Sequence, residues 1–120
     1  MCALAKALSA PQIKDIGTYY AAQKWAAAQQ QSLDAAKVAK GRSIHTADCE
    51  NCHTKGGSVA DDDAGILAGQ WLAYSQLTLQ DYKAGRRLAP NAMKPKIEKL
   101  SADELEAVAQ FYASEGASSN

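Results

Sequence analysis

The chain has no net charge: 13 lysines and arginines balance 13 aspartates and glutamates. That balance removes the electrostatic argument for a nucleic-acid partner or an anionic membrane surface. No apolar run is long enough to span a bilayer. No stretch alternates apolar and polar residues with the period of two that marks a half-buried strand, so nothing points to a sheet. The acidic run Asp61-Asp62-Asp63 lacks the spacing of an EF-hand loop and reads as solvated surface. At 120 residues one compact domain is expected, with little chain to spare for a core.

What the chain does have is Cys49-Glu50-Asn51-Cys52-His53, a C-x-x-C-H run. On a helix, Cys49 and Cys52 lie three apart and His53 follows, so all three can face one side. Two thiols so placed can add to the two vinyl groups of a haem, and His53 can reach the iron as an axial ligand. A structural zinc site needs four ligands. Beyond this run only Cys2 and His45 remain, and neither belongs to a second paired motif. A thioredoxin-like pair needs a strand-turn-helix setting, and no β-branched run surrounds Cys49. One covalently bound haem c is therefore expected, with Cys2 left over as an incidental thiol.

The chain also repeats itself. Leu8–Ala21 aligns with Leu100–Ala113. Both segments open on a serine N-cap with Gln12 or Glu104 three residues later, the pattern of a capping box. Ile13, Ile16 and Tyr20 then match Leu105, Val108 and Tyr112 on the apolar stripe. The same offset places Met1 on Met93, the only two methionines. Such self-similarity suggests that residues 1–28 are the C-terminal remnant of a preceding repeat, or an extra helix, and that 29–120 form the domain proper. Met1–Ala10 is too short, and too interrupted by Lys6, for a signal peptide. Haem is attached outside the cytoplasm, so an exported, periplasmic bacterial protein is expected. Its signal was then removed, or the chain is a piece of something longer.

Along the chain, a helix is predicted from Ser9 to about Ala28, with Gln29–Ser32 as a polar junction. A second runs from Leu33 to Asn51, with Leu33, Val38, Ile44 and Cys49 facing inward. Gly41 within it costs about 1 kcal/mol against alanine, and a close crossing with the last helix near Phe111 or Tyr112 would account for it. The segment from His53 to Gly69 reads as loop. A third helix spans Gln70 to Ala84, with Gly85 where a C′ glycine sits. Arg86–Pro95 reads as a loop bounded by prolines, the last helix as Ser101 to about Ser114, and Gly116–Asn120 as a frayed tail.

Met93, in that constrained loop, is the best candidate for the sixth iron position, since a thioether is a good ligand for haem iron. His45, on the helix that carries the motif, points at the helix partner and reads as a packed or capping residue. Lys94 ligates only if deprotonated, which is costly. Arg86 and Arg87 are candidates to pair with haem propionates, or are simple surface charge. Trp71 and Tyr74 are candidates to wall the pocket, or ordinary core aromatics.

From about Leu33 to Gly116 the order of features resembles a class I cytochrome c domain: glycine eight before the first cysteine, C-x-x-C-H, Leu67-Ala68-Gly69-Gln70, an aromatic helix, a methionine loop and a capped last helix. The resemblance implies an all-α class I cytochrome c fold, here with an extra N-terminal helix. Gly69-Gln70 and Tyr82-Lys83-Ala84-Gly85-Arg86 look like the cytochrome c4 and c553 branch. A closer likeness is to the second domain of the dihaem cytochrome subunit of flavocytochrome c sulfide dehydrogenase. It rests on Gly41, His45, Gly56-Gly57, Ile66–Trp71, Arg86-Arg87 and Phe111–Ser114. It implies electron transfer without catalysis by the chain itself, from a flavin-containing sulfide dehydrogenase subunit. The other readings are a soluble c4/c553-like carrier to a terminal oxidase or reductase, and an open-site haem enzyme or sensor. One position departs from the class pattern. Gly65 stands where a proline is common, which puts the backbone hydrogen bond to the His53 ring in doubt.

Overall fold

The computed structural model describes residues 2–28, 32–60 and 64–115, apart from the side chain of Cys2. Met1, Gln29–Gln31, the acidic run at 61–63 and the tail from Gly116 lie outside the described residues. Seven helical segments follow in order: α1 (Cys2–Ala7), α2 (Ala10–Ala21), α3 (Ala35–Asp48), α4 (Thr54–Gly57), α5 (Leu72–Lys83), α6 (Lys94–Lys99) and α7 (Ala102–Glu115). No β-strand occurs among the described residues.

The core is built around α7. Leu105, Val108, Phe111 and Tyr112 from α7, with Ile97 and Leu100 from α6 and its end, form one buried cluster. Ile44, Leu67, Leu79, Tyr82 and Met93 pack against it from neighbouring elements. The most extensive helix pair is α3 with α7. It closes at Gly41, where an added Cβ would sit 2.1 Å from the Ala107 carbonyl oxygen and 2.8 Å from Phe111 Cβ. The glycine is there because backbone meets backbone. The crossing also decides which residues of α3 are inside. The buried ones are Gly41 and His45, whereas the expected Leu33, Val38, Ile44 and Cys49 are only half-buried.

The helix ends follow local chemistry. Asp34 caps α3 by accepting from the N–H groups of Ala36 and Lys37. Its own N–H donates to the buried Gln110 side chain at 2.7 Å. Ser9 and Gln12 complete a capping box at α2, and Ser101 and Glu104 complete one at α7. Gly85 takes φ +70° just past α5, and the Arg86 N–H reaches back to the Asp81 carbonyl at 2.9 Å. That is the Schellman ending expected of a C′ glycine.

Three boundaries differ from expectation. The helix expected from Ser9, α2, stops at Ala21 rather than near Ala28. Beyond it the Trp25 indole N–H and the Ala28 N–H donate to the carbonyls of Ala68 and Gly69, at 2.9 and 2.7 Å. Those long-range bonds replace helical ones. The helix expected from Leu33 to Asn51, α3, stops at Asp48, short of the C-x-x-C-H run. Glu50 N–H bonds to the His45 carbonyl at 2.9 Å, an irregular closure that turns the chain off the helix axis. At the end of the Arg86–Pro95 segment read as a loop, the chain enters the short helix α6 (Lys94–Lys99), which was not expected. Two long-range clamps hold this segment. The Lys83 ammonium from the end of α5 donates to the carbonyls of Ile97, Glu98 and Leu100. Asp48 at the end of α3 pairs with Lys96 at 3.2 Å and Lys99 at 2.6 Å.

The two repeated segments meet different fates. Eight residues of α7 are buried, from Leu105 and Ala107 through Ala113, and none of α2 is. Ile13 is 53% exposed and Tyr20 68%, although they match Leu105 and Tyr112.

Two outcomes are expected. Gly41→Ala forces α3 away from the Ala107 carbonyl and lowers unfolding stability by about 3 kcal/mol, read by urea denaturation of the holo-protein. Asp48→Asn tests the α6 clamp. Lys99 and Lys96 hold the Asp48 carboxyl below the usual range, so its stabilisation is present above the unfolded value of about 4 and lost as pH falls through the folded one. The wild type should be the more stable at neutral pH, and the two proteins should converge in acid.

Candidate haem-attachment site

Cys49 is the C-cap of α3, half-buried, and its thiol is pushed up by burial, with the Tyr112 hydroxyl pulling the other way. A tight turn carries the chain onward: Cys52 N–H and His53 N–H both bond to the Cys49 carbonyl, at 3.2 and 2.9 Å. Cys52 is exposed. The motif therefore lies on a turn that leaves the helix, not on one continuous helix face, and it still gathers both thiols and the imidazole within five residues.

His53 is half-buried, and burial, followed by the nearby His45, holds its imidazole below the usual range. A neutral imidazole keeps the lone pair that a metal needs. Its Nδ1 is buried without a hydrogen-bond partner among the described residues. The backbone bond put in doubt by Gly65 is thus not made here, and Gly65 itself meets nothing within 4 Å of an added Cβ.

Behind this turn lies a polar network. His45 is 2% exposed and sits between the rings of Phe111 and Tyr112. Its Nδ1 lies 2.9 Å from the Tyr112 hydroxyl, and its Nε2 meets the Glu50 carboxylate. The other oxygen of Glu50 accepts from Lys55 N–H at 2.9 Å. Lys55 has φ +53°, a left-handed conformation that costs a non-glycine residue strain and persists because its surroundings fix it. The Lys55 N–H, then His45, hold the Glu50 carboxyl below the usual range. Burial pushes the Tyr112 hydroxyl far above the usual range, so it stays a donor. His45 lies against its helix partner as expected, and Tyr112 was expected only as a residue of the helix crossing; nothing in the sequence singled out Glu50, Lys83 or Asp48. The one available signal was an acid inside the C-x-x-C-H run, five residues after a helical histidine.

The other candidates form a second group on α5 and the turn after it. Trp71 occupies the N-cap position of α5 without a capping side-chain bond and is 61% exposed; Tyr74 is also exposed. Arg86 pairs with Asp81 at 2.7 Å. Arg87 lies 5.1 Å over the Tyr82 ring and bonds to the Tyr74 hydroxyl, which it pulls down. Met93 is the N-cap of α6, half-buried and packed against the core cluster. Leu77 and the 94%-exposed Leu88 add to the uncovered apolar surface of this region.

The residues present fit a covalently attached haem. Two cysteines and a neutral imidazole share one turn, with Cys52 open to reaction. Large apolar side chains also lie uncovered on α5 and its loop, and a porphyrin needs apolar neighbours. Among the described residues no group of three or more His, Cys, Asp or Glu side chains is placed to hold a metal ion. No helix among them is long and apolar enough to cross a membrane.

Comparison with known proteins agrees. The family model described as cytochrome c oxidase, cbb3-type, subunit III matches residues 36–111. Reduced recombinant cytochrome c4 from Pseudomonas stutzeri superposes with a TM-score of 0.76 at 27% identity, over 92% of this chain and 63% of its own. Cytochrome c4 from Acidithiobacillus ferrooxidans gives 0.76 at 23% identity, over 95% and 70%. Thiosulfate dehydrogenase from Marichromatium purpuratum, as isolated, gives 0.71 at 30% identity, over 88% of this chain and 25% of its own. No curated protein sequence gives a match. This chain thus spans less than two thirds of the Pseudomonas protein. With the helical fold, the C-x-x-C-H turn and the matched span taken together, the chain belongs to the c-type cytochrome family of the cbb3-type subunit III description, has the class I cytochrome c fold, and has covalently bound haem c as its cofactor, with Cys49 and Cys52 fitting the attachment motif.

Proposed function

We propose that this chain transfers single electrons through a haem whose iron is held by His53 on one side and Met93 on the other. The observation that carries the reading is the attachment turn itself, where both thiols adjoin an imidazole that burial keeps neutral. Bound there, the haem supplies a one-electron ferric/ferrous couple. The chain's part is to hold the axial groups and exclude water. The clamps from Lys83 and Asp48 support Met93 in this role, because they fix the helix it caps. Arg86 and Arg87 are offered as propionate partners, and Trp71 and Tyr74 as pocket walls. With both axial positions filled by side chains, no substrate site remains at the metal, so the chain is a carrier rather than an enzyme.

For the partner, the likeness to Pseudomonas cytochrome c4 supports a c4-like carrier; we read it as periplasmic, exchanging electrons with a terminal oxidase or reductase. The reading as the cytochrome subunit of a flavoprotein sulfide dehydrogenase is favoured by one local feature, Gly65 with the unpartnered His53 Nδ1. In either case residues 1–28 are read as the end of a preceding repeat. The exposed Ile13, Ile16 and Tyr20 on α2 support that reading, since their counterparts on α7 are core.

Met93→Ala in the haem-loaded protein tests the ligation. The wild type should show a sharp ferrous α-band and a weak near-infrared methionine–iron band when ferric. The variant should lose the near-infrared band, bind exogenous ligands such as imidazole, and fall in reduction potential. A variant spectrum and potential equal to the wild type would remove Met93 from the iron and return the open-site reading.

A further inference from the structure

The loop that follows the attachment turn is tied down by a segment far upstream of it. Ala68 is 4% exposed and Gly69 is buried. Backbone polar groups taken out of water need partners. The N–H groups of this loop find theirs within the domain. Leu67 and Ala68 both donate to the Gly57 carbonyl, at 2.8 and 3.0 Å, and Gly69 donates to the Tyr112 carbonyl of α7 at 2.8 Å. The carbonyls of the buried pair are met by residues before α3. Ala68 accepts from the Trp25 indole at 2.9 Å, and Gly69 accepts from the Ala28 N–H at 2.7 Å. Residues 25–28 therefore form a strap that holds the loop by two adjacent carbonyls.

On its other side the loop is joined to the turn that carries His53. Gly57, which accepts from the loop, donates its own N–H to the His53 carbonyl at 3.0 Å. The packing there has no slack. A Cβ at Gly57 would lie 3.0 Å from Leu67 Cβ and 2.9 Å from the Tyr112 ring. Hydrogen bonds in series thus run from Trp25 to Ala68, from Ala68 to Gly57 and from Gly57 to His53. Trp25 itself is 49% exposed, so it adds little to the core, and its N–H is the part committed inward.

We propose that Trp25 is a positioning residue for His53: its indole holds the 67–69 loop against the attachment turn, which fixes the proximal side of the haem site and keeps water from it. The proposal rests on the haem reading above. Groups standing behind a metal-bound histidine set its orientation and tune the metal. Here that backing is main chain, held in place by a side chain from the stretch 1–28. The helix α2 of that stretch buries no residue, and the strap is what ties the stretch to the site.

The test uses haem-loaded Trp25→Phe and Ala28→Pro. The first keeps an aromatic ring and deletes the indole donor; the second deletes the other N–H. In each, amide exchange at Gly57, Leu67 and Ala68 should quicken by about tenfold, the worth of one hydrogen bond. The reduction potential should fall, because water admitted beside the haem favours the ferric state. The His53 ring signals in the nuclear magnetic resonance spectrum of the ferric protein should shift. A strap that only adds stability would lower the urea midpoint and leave the potential and the His53 signals at their wild-type values. That result, or wild-type exchange rates in the loop, would overturn the proposal. So would the same changes in Tyr20→Ser, which lies on α2 and bonds to neither carbonyl. If Trp25→Phe fails to fold, Ala28→Pro carries the test. The near-infrared methionine–iron band reports the axial ligation separately. Its absence from the wild type would sink the Met93 reading, whereas loop exchange would still decide the strap.

Discussion

The crossing of α3 over α7 at Gly41 is the contact on which the rest of the domain depends. A backbone oxygen of α7 occupies the space that any side chain at position 41 would need. Because α3 repeats every 3.6 residues, fixing residue 41 against α7 also fixes 45 and 49 on the same side. His45 is thereby driven between Phe111 and Tyr112, and Cys49 is brought to the Tyr112 hydroxyl. A buried imidazole needs polar partners, and the structure supplies one from each side of the crossing. One belongs to the last helix and the other to the attachment turn. The placement of Cys49 is thus set by a helix contact two turns away.

The remaining elements are tied on by polar and charged groups more than by depth of burial. No residue of α5 is buried, and α6 buries only Ile97. What holds α6, and with it Met93, is an ammonium on its C-terminal carbonyls and a carboxylate shared by two of its lysines. The carbonyls at a helix end lack intrahelical partners, so a lysine aimed at them satisfies groups that would otherwise depend on water. In a domain whose apolar faces on α5 and its loop are left uncovered by the chain itself, such clamps place the loop independently of what packs on those faces.

The repeated segments show how far local signals reach. Ser9 with Gln12 and Ser101 with Glu104 make the same capping box, so each starts a helix at the position its sequence specifies. The apolar stripe of α7 becomes the core, and the matching stripe of α2 faces outward. Capping and periodicity determine that a segment is helical and which face is apolar. Whether that face is buried depends on a partner helix, and α3 crosses α7, not α2.

Much of this protein was therefore legible in its sequence. The C-x-x-C-H run named the cofactor, since the two thiols and the histidine are chemically sufficient and adjacent. Gly41 announced a close helix crossing near Phe111, because a glycine inside a helix is costly without one. The caps at Ser9 and Ser101 and the Gly85 ending were local hydrogen-bonding problems with local solutions. The ends of α2 and α3 and the existence of α6 were not legible, because they turn on bonds across the chain: Trp25 to Ala68, Lys83 to Leu100, Asp48 to Lys99. The network of Glu50, His45 and Tyr112 was hidden for the same reason, its members being 67 residues apart at their widest separation along one bond. The sequence by itself determined the four longer helices, their apolar faces and the haem-attachment chemistry, which depend on neighbours within a turn or two. Only the tertiary structure decided where the helices end, which stripe is buried and what touches the cysteine, because those depend on groups brought together by the crossing.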